Sequence, residues 1–111
     1  MLEFTPQQVK VLERLVAAGF RPIAIPRYES ALCMRRESYA VVLAPVANGG
    51  FKILAPPSIL IDGNFAVRLP RPTGDVFVWK RSEMPATAQR LADLDDFRRE
   101  LREILELPAA I

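Results

Sequence analysis

The stretch YAVVLAPVANGGFKIL, residues 39–54, decides the fold of this chain. Its first six residues are apolar on both faces of a strand, which is typical of the middle of a sheet. Asn48-Gly49-Gly50 follows, and these residue types adopt the positive φ that a tight hairpin turn requires. Residues 51–54 are again mostly apolar. The stretch therefore predicts a central β-hairpin of an antiparallel sheet.

Further strand signals lie on both sides of this hairpin. Residues 23–25 lie between Pro22 and Pro26, and they predict an edge strand because proline cannot donate to a ladder. Pro56-Pro57 predicts an interruption of the sheet, and Asp62-Gly63-Asn64 predicts a second hairpin turn. Counting the two strands of the central hairpin, the strands predicted after residue 25 are residues 31–35, 39–44, 51–54, 59–61, 65–69 and 76–80. We expect six or seven strands in all.

The first helix has a clear start and end in the sequence. Thr5 is placed to act as its N-cap, Pro6 fits the first helical position, and Gln8 completes a capping box. From Val9 onward, apolar residues recur at helical spacing with charged residues opposite them. Gly19 supplies the left-handed position after the helix. We therefore predict a helix over residues 6–18.

The second helix is long for a chain of 111 residues. Residues 84–87 lead into it, Thr87 is its predicted N-cap and Pro108 its predicted stop, so it would span roughly 28 Å. Its apolar stripe comprises Leu91 and five further residues: Leu94, Phe97, Leu101, Ile104 and Leu105. We expect the helix to pack on the sheet, and we expect part of the stripe formed by those five residues to bury against a partner.

These elements define the expected architecture, a single α+β domain over residues 1–111. A chain of this length falls within the usual size of one domain, and it contains no internal repeats. An N-terminal helix and a long C-terminal helix bracket a curved antiparallel β-meander, with both helices on one face. A small, partly closed β-barrel capped by the C-terminal helix is the alternative.

Residues suited to catalysis or metal binding are scarce. The chain has no histidine and one cysteine, so Ser-His-Asp and Cys-His triads and Cys/His zinc sites are excluded. Cys33 lies in an apolar run, where a lone thiol is usually a small buried hydrophobe. The five glycines form no Walker-type or Rossmann-type pattern. We therefore predict no catalytic residue, no metal and no cofactor, and an enzyme that uses Arg, Lys and carboxylates is the least favoured hypothesis.

Charge is distributed unevenly along the chain, although the net charge is only +2. Residues 1–81 hold 11 Lys and Arg against 6 Asp and Glu, whereas residues 82–111 hold 4 against 7. The favoured interpretation is that the acidic helix faces the basic sheet of its own chain or of a sister chain. Because the chain lacks cysteine pairs, a signal-like segment and a long uncharged apolar stretch, we expect a cytoplasmic protein that does not span a membrane.

Two functions compete on the sequence alone. The favoured one is a small non-catalytic protein-interaction or regulatory module, with a protein partner or a second copy of itself in a homodimer. The alternative is nucleic-acid binding by a basic sheet face, where arginine and lysine are interleaved with aromatic residues at strand ends. The candidate residues for that anion or nucleic-acid site are Arg35, Arg36, Arg68, Lys80 and Arg81.

Overall fold

A computed structural model describes residues 4–47 and 49–106 of the chain. In chain order the elements are α1 (Pro6–Ala17), β1 (Arg21–Ile23), β2 (Leu32–Arg36), β3 (Tyr39–Pro45), β4 (Phe51–Ile61), β5 (Asn64–Phe65), β6 (Val67–Leu69), β7 (Val76–Trp79), β8 (Ser82–Pro85) and α2 (Ala88–Leu105). The strands form a five-stranded sheet, β1-β2-β3-β4-β5, and a three-stranded sheet, β6-β7-β8. The predicted α+β class is confirmed, and the sheets do not close into a barrel within the described residues.

The predicted capping of α1 is confirmed atom by atom. The backbone N–H of Gln8 donates to Thr5 Oγ1 at 3.1 Å, and the backbone N–H of Thr5 donates to Gln8 Oε1 at 2.9 Å. Gln8 Nε2 also donates to the carbonyls of Val46 and Gly50, so this buried amide ties the helix start to the β3–β4 hairpin. The helix ends at Ala17, one residue earlier than predicted.

Gly19 closes α1 as the sequence predicts. Its φ is 95°, a left-handed conformation that glycine adopts without a Cβ penalty. The backbone N–H of Phe20 then donates to the carbonyl of Leu15 at 3.0 Å, which caps the last turn of the helix. Phe20 is thereby turned into the core, where it is fully buried.

The central hairpin of β3 and β4 is confirmed. The first five residues of β3 are buried, as expected for a strand with neighbours on both sides. Leu43 pairs with Ile53 and Pro45 pairs with Phe51. Asn48 of the predicted turn lies outside the described residues.

The predicted interruption at Pro56-Pro57 is wrong, because β4 runs through both prolines as one strand of 11 residues. Its register against β3 shifts between Ala40 and Val42, so that one residue of β3 lies opposite these two prolines. Such a β-bulge tolerates residues that cannot donate to the ladder. Its formation depends on the partner strand, which local proline signals do not reveal.

A second difference concerns the predicted strand at residues 65–69, which divides at Ala66. The part before Ala66 pairs with β4, and the part after it pairs with β7. The backbone N–H of Ala66 donates to the carbonyl of Ile59 at 3.1 Å, and Ser58 Oγ donates to the carbonyl of Ala66 at 3.0 Å. The chain therefore changes sheets at this buried residue.

Two strand boundaries also differ from the sequence-based expectation. Residues 84–87 are predicted to lead into the last helix, but residues 82–85 form β8 and pair with β7, which brings the described strands to eight. The first strand is Arg21–Ile23 instead of residues 23–25, because it pairs with β2 from Arg35 to Cys33. Ile25 still lies in the core, beyond the end of the strand.

The long helix α2 packs on this chain's own sheet. Thr87 is its N-cap, with Thr87 Oγ1 accepting from the backbone N–H of Arg90 at 3.2 Å, and Glu106 follows its last turn in a left-handed conformation. The predicted stop at Pro108 lies outside the described residues. Of the five stripe residues offered to a partner, four are buried in the chain's own core and Ile104 packs against them: Leu94, Phe97, Leu101 and Leu105 are the buried four. These four side chains therefore take part in the chain's own core.

Candidate functional site

A depression in the surface lies where the two sheets separate at Ala66. We call it the junction cleft, and its volume is about 510 Å³, within the range of roughly 300–1,000 Å³ that ligand sites occupy. Its apolar lining consists of Ala55, Pro56, Pro57, Phe65, Ala66, Val67, Phe77, Leu91 and Leu94. Its polar lining consists of Tyr28, Ser58, Arg68, Asp95 and Arg98. The cleft is thus an apolar depression with few polar groups.

Two arginines from different elements line the junction cleft. Arg68 lies on β6, and its Nε donates to Asp75 Oδ2 at 2.8 Å. Arg98 lies on α2, and its Nη1 is 3.7 Å from Asp95 Oδ1, which is an ion pair without a hydrogen bond. The lining therefore contains two cationic groups and one carboxylate.

One wall of the junction cleft is the outer edge of β4. Within the described residues, β5 pairs with this edge at Leu60 and Ile61, and the segment before them has β3 as its strand neighbour. Pro56 and Pro57 lie in that segment, and neither has a backbone N–H. Proline is one of the devices that keep a free strand edge from pairing with another strand.

Arg36, one of the predicted basic-site residues, is bound to other parts of the fold. Its Nη1 donates to Glu100 Oε2 at 2.6 Å and to the carbonyl of Ala18 at 3.3 Å. Its guanidinium also lies 4.7 Å from the ring centroid of Phe20 and 5.7 Å from that of Phe97. The expected meeting of acidic helix and basic sheet is realised within one chain by this contact.

Three further predicted basic residues, Arg35, Lys80 and Arg81, lie at or beside hairpin turns. Arg35 Nε donates to the carbonyl of Glu37, and Lys80 Nζ lies 5.5 Å from the Trp79 ring centroid. Arg81 lies beside Lys80 in the turn between β7 and β8.

Two hydrogen bonds link the segments at residues 37–38, 60–63 and 80–82 to one another. The backbone N–H of Leu60 donates to the carbonyl of Ser38 at 2.7 Å, and Ser82 Oγ donates to Asp62 Oδ2 at 3.5 Å. Glu37 and Asp62 lie in two of these segments, and Lys80 and Arg81 lie in the third. Of the five predicted residues, Arg68 alone lines the junction cleft, and Arg36 is paired with Glu100.

Sequence reasoning missed Arg98, although the sequence contains a signal for it. Leu91, Leu94, Leu101 and Leu105 follow the alternating three- and four-residue spacing of a helix face, and residue 98 falls on the same face. A charged residue that interrupts an apolar stripe at the helical period lies beside the core by geometry. Its long side chain can keep its head in water while its stem covers apolar surface.

Among the described residues two titratable groups are perturbed, and both lie outside the junction cleft. Burial raises the pKa of the Cys33 thiol, whose Sγ lies 3.8 Å from the carbonyl of Tyr28. Burial also raises the pKa of the Tyr39 hydroxyl, and the nearby Asp93 adds to the effect. Both shifts favour the neutral form, the reverse of what a nucleophilic thiolate or phenolate needs. Cys33 is a buried hydrophobe, as predicted.

Residues 4–47 and 49–106 show neither a metal-binding cluster nor a membrane-spanning helix. They contain no group of three or more Cys, Asp and Glu residues placed to hold a metal ion. No helix in this part of the chain is both long and apolar enough to cross a bilayer. No family model, curated protein or solved structure matches the sequence or the fold.

Proposed function

We propose that this chain is a non-catalytic protein-interaction module that binds an apolar segment of a partner protein in the junction cleft. The observation that carries the proposal is the cleft itself, which combines a volume of about 510 Å³ with a largely apolar lining. Concave apolar sites with a few converging polar groups are the usual places where proteins bind other molecules.

The apolar surface at the cleft rim supports a macromolecular partner. Val67 lines the cleft and is 57% exposed, so apolar surface continues from the cleft onto the outer side of β6. A small molecule enclosed by the cleft would leave this side chain in water. A protein segment that crosses the rim would cover it, at a gain of about 25 cal/mol per Å² of apolar surface.

The surroundings of the cleft favour binding over catalysis. Its Ser58 hydroxyl is committed to a backbone carbonyl, and no imidazole exists in the chain to activate it. The two perturbed groups, Cys33 and Tyr39, do not line the cleft, and both are held neutral. These facts support a module that recognises its partner without transforming it.

Selection from a random library of 12-residue peptides displayed on phage, with the immobilised chain as bait, tests this proposal. We expect enriched peptides with apolar residues, and we expect Val67→Gln to weaken their binding about 5- to 10-fold. Leu54→Gln is the matched control, because Leu54 is 50% exposed on a strand but does not line the cleft. Fluorescence anisotropy with synthetic peptides measures both variants. Failure to enrich peptides, or equal losses in the two variants, would refute the proposal.

The nucleic-acid alternative has weaker support, because Arg36 and Arg68 are already paired with Glu100 and Asp75. We expect a labelled single-stranded 20-mer to show no binding at about 50 mM salt. Binding that falls steeply with added salt would favour the alternative over a protein partner. Self-association stays a prediction, and sedimentation of the same sample at high micromolar concentration decides between monomer and homodimer.

A further inference from the structure

We infer that the partner segment carries a carboxylate and that Arg68 and Arg98 bind it together. This inference rests on the proposed function, because it specifies the chemistry of the segment that the junction cleft would take. It depends on which N–H groups of these two guanidinium groups are already used inside the fold.

Arg68 has donors to spare. A guanidinium presents five N–H donors, and Arg68 uses Nε for its hydrogen bond to Asp75. Its two Nη nitrogens donate to no acceptor within residues 4–47 and 49–106. Asp75 binds Nε and does not line the cleft, so the Nη edge of the guanidinium remains available for a ligand. That edge has the geometry that binds one carboxylate with two parallel hydrogen bonds.

Arg98 is held more weakly within the fold than Arg68. Its contact in the described part of the chain is the 3.7 Å ion pair with Asp95, three residues earlier on the same helix. Exposed pairs of this kind contribute about 0–1 kcal/mol and are easily exchanged for a better acceptor. The side chain can therefore turn toward a ligand at little cost. Two arginines that lie on separate elements and line one cleft can hold a carboxylate from two directions.

The open N–H donors in the cleft favour an anion over a cation. Each guanidinium already has one carboxylate within 4 Å, Asp75 for Arg68 and Asp95 for Arg98, and the Asp95 side chain is 73% exposed and therefore well hydrated. A ligand carboxylate bound over the apolar lining would be less hydrated than Asp95. Charge-assisted hydrogen bonds become stronger in such surroundings, so the ligand can compete for both arginines. A ligand ammonium has no acceptor for the open N–H donors of the two arginines.

The β4 wall of the cleft offers a ligand carboxylate no N–H donors at its two prolines. Because Pro56 and Pro57 have no N–H, this stretch of the strand edge cannot donate backbone hydrogen bonds to a ligand. Addition of a partner strand is disfavoured at the same place. Recognition in the cleft therefore depends on side chains, and the donors suited to an anion are the two arginines.

The test uses peptides enriched from the library against the full chain. We expect an acidic residue at a recurring position, and changing it from Glu to Gln should weaken binding about 10- to 100-fold. Arg98→Gln should cause a similar loss. In that variant the Glu-to-Gln change should have little further effect, because the interaction is already gone.

Arg99→Gln is the matched control for Arg98→Gln. Arg99 is the next residue of α2, forms its own exposed pair with Asp96 at 2.6 Å and does not line the cleft, so its variant should bind normally. Arg68→Gln supplies an independent loss from another element, and two-dimensional NMR spectra verify that each variant is folded. Enriched peptides that tolerate both Glu→Gln and Arg98→Gln would overturn this inference and leave the proposed function standing. A library that enriches nothing would overturn both.

Discussion

The contact between α2 and β2 and the junction cleft use arginine in opposite ways. At the first, Arg36 donates to Glu100 and to the carbonyl of Ala18 while its guanidinium lies near the rings of Phe20 and Phe97. At the second, Arg98 has an ion pair at 3.7 Å and otherwise lies open to the cleft. A guanidinium with its donors and its face engaged fixes structure, whereas one with open donors is available for binding. Arginine content alone does not distinguish the two.

Substitutions in the two regions should differ most in their effect on the free energy of unfolding when they remove core side chains, and the larger loss should occur in the core beneath Arg36. Phe97→Ala removes a side chain that is fully buried, and it should lower the free energy of unfolding by about 3–5 kcal/mol. Leu91→Ala, on the same helix but partly exposed at the cleft wall, should cost about 1–2 kcal/mol. Urea unfolding followed by tryptophan fluorescence measures both. Equal losses would mean that the two regions contribute alike to stability.

Substitutions of Arg36 and Arg98 should show the next largest difference in the free energy of unfolding. Arg36→Met keeps an aliphatic stem but removes the hydrogen bonds to Glu100 and Ala18, which should cost about 1–2 kcal/mol because the Glu100 side chain is nearly half exposed. Arg98→Gln should change the free energy of unfolding by no more than about 0.5 kcal/mol. Thermal denaturation of the two variants in parallel measures the difference. A destabilising Arg98 variant would assign that residue to the structure and weaken its proposed role in binding.

Local signals account for what the sequence predicted correctly. The caps at Thr5 and Thr87 and the glycine at residue 19 act within a few residues, and each of them is confirmed. The β3–β4 hairpin is likewise specified by an apolar strand and a turn sequence beside it. In these places the residues that make the hydrogen bonds are neighbours in the chain.

What the sequence did not predict depends on residues far apart. The strand through Pro56-Pro57 exists because a bulge against β3 accommodates both prolines, and the chain changes sheets at Ala66 because β7 pairs with the residues that follow it. The junction cleft results from those two features, so it could not be predicted without them. Arg98 is different, since its place in the helical stripe was legible in the sequence.

The smallest expected difference between the two regions is in how the free energy of unfolding depends on pH. Tyr39 belongs to the side where α2 meets the sheet: its ring lies 6.1 Å from that of Phe97, and its hydroxyl donates to the carbonyl of Arg90 at 3.2 Å. Burial raises its pKa above the ordinary value of 10.0. Between these two values the folded chain keeps a proton that the unfolded chain has lost, so the free energy of unfolding falls as pH rises. Below the ordinary value Tyr39 contributes no pH dependence.

Denaturant unfolding between pH 7 and pH 11 measures this effect. Cys33, whose pKa is raised above 9.0 by burial, should begin a decrease in stability at lower pH, and Tyr39 should steepen it above 10.0. Tyr39→Phe should remove the steeper part and Cys33→Ala the earlier part, each at some cost at neutral pH. If Tyr39→Phe kept the full alkaline slope, another group would release the proton. The pH dependence of stability would then not come from the contact between α2 and the sheet. Arg68→Gln and Arg98→Gln, which change the cleft, should leave the alkaline slope as it is, because an arginine stays protonated throughout this range.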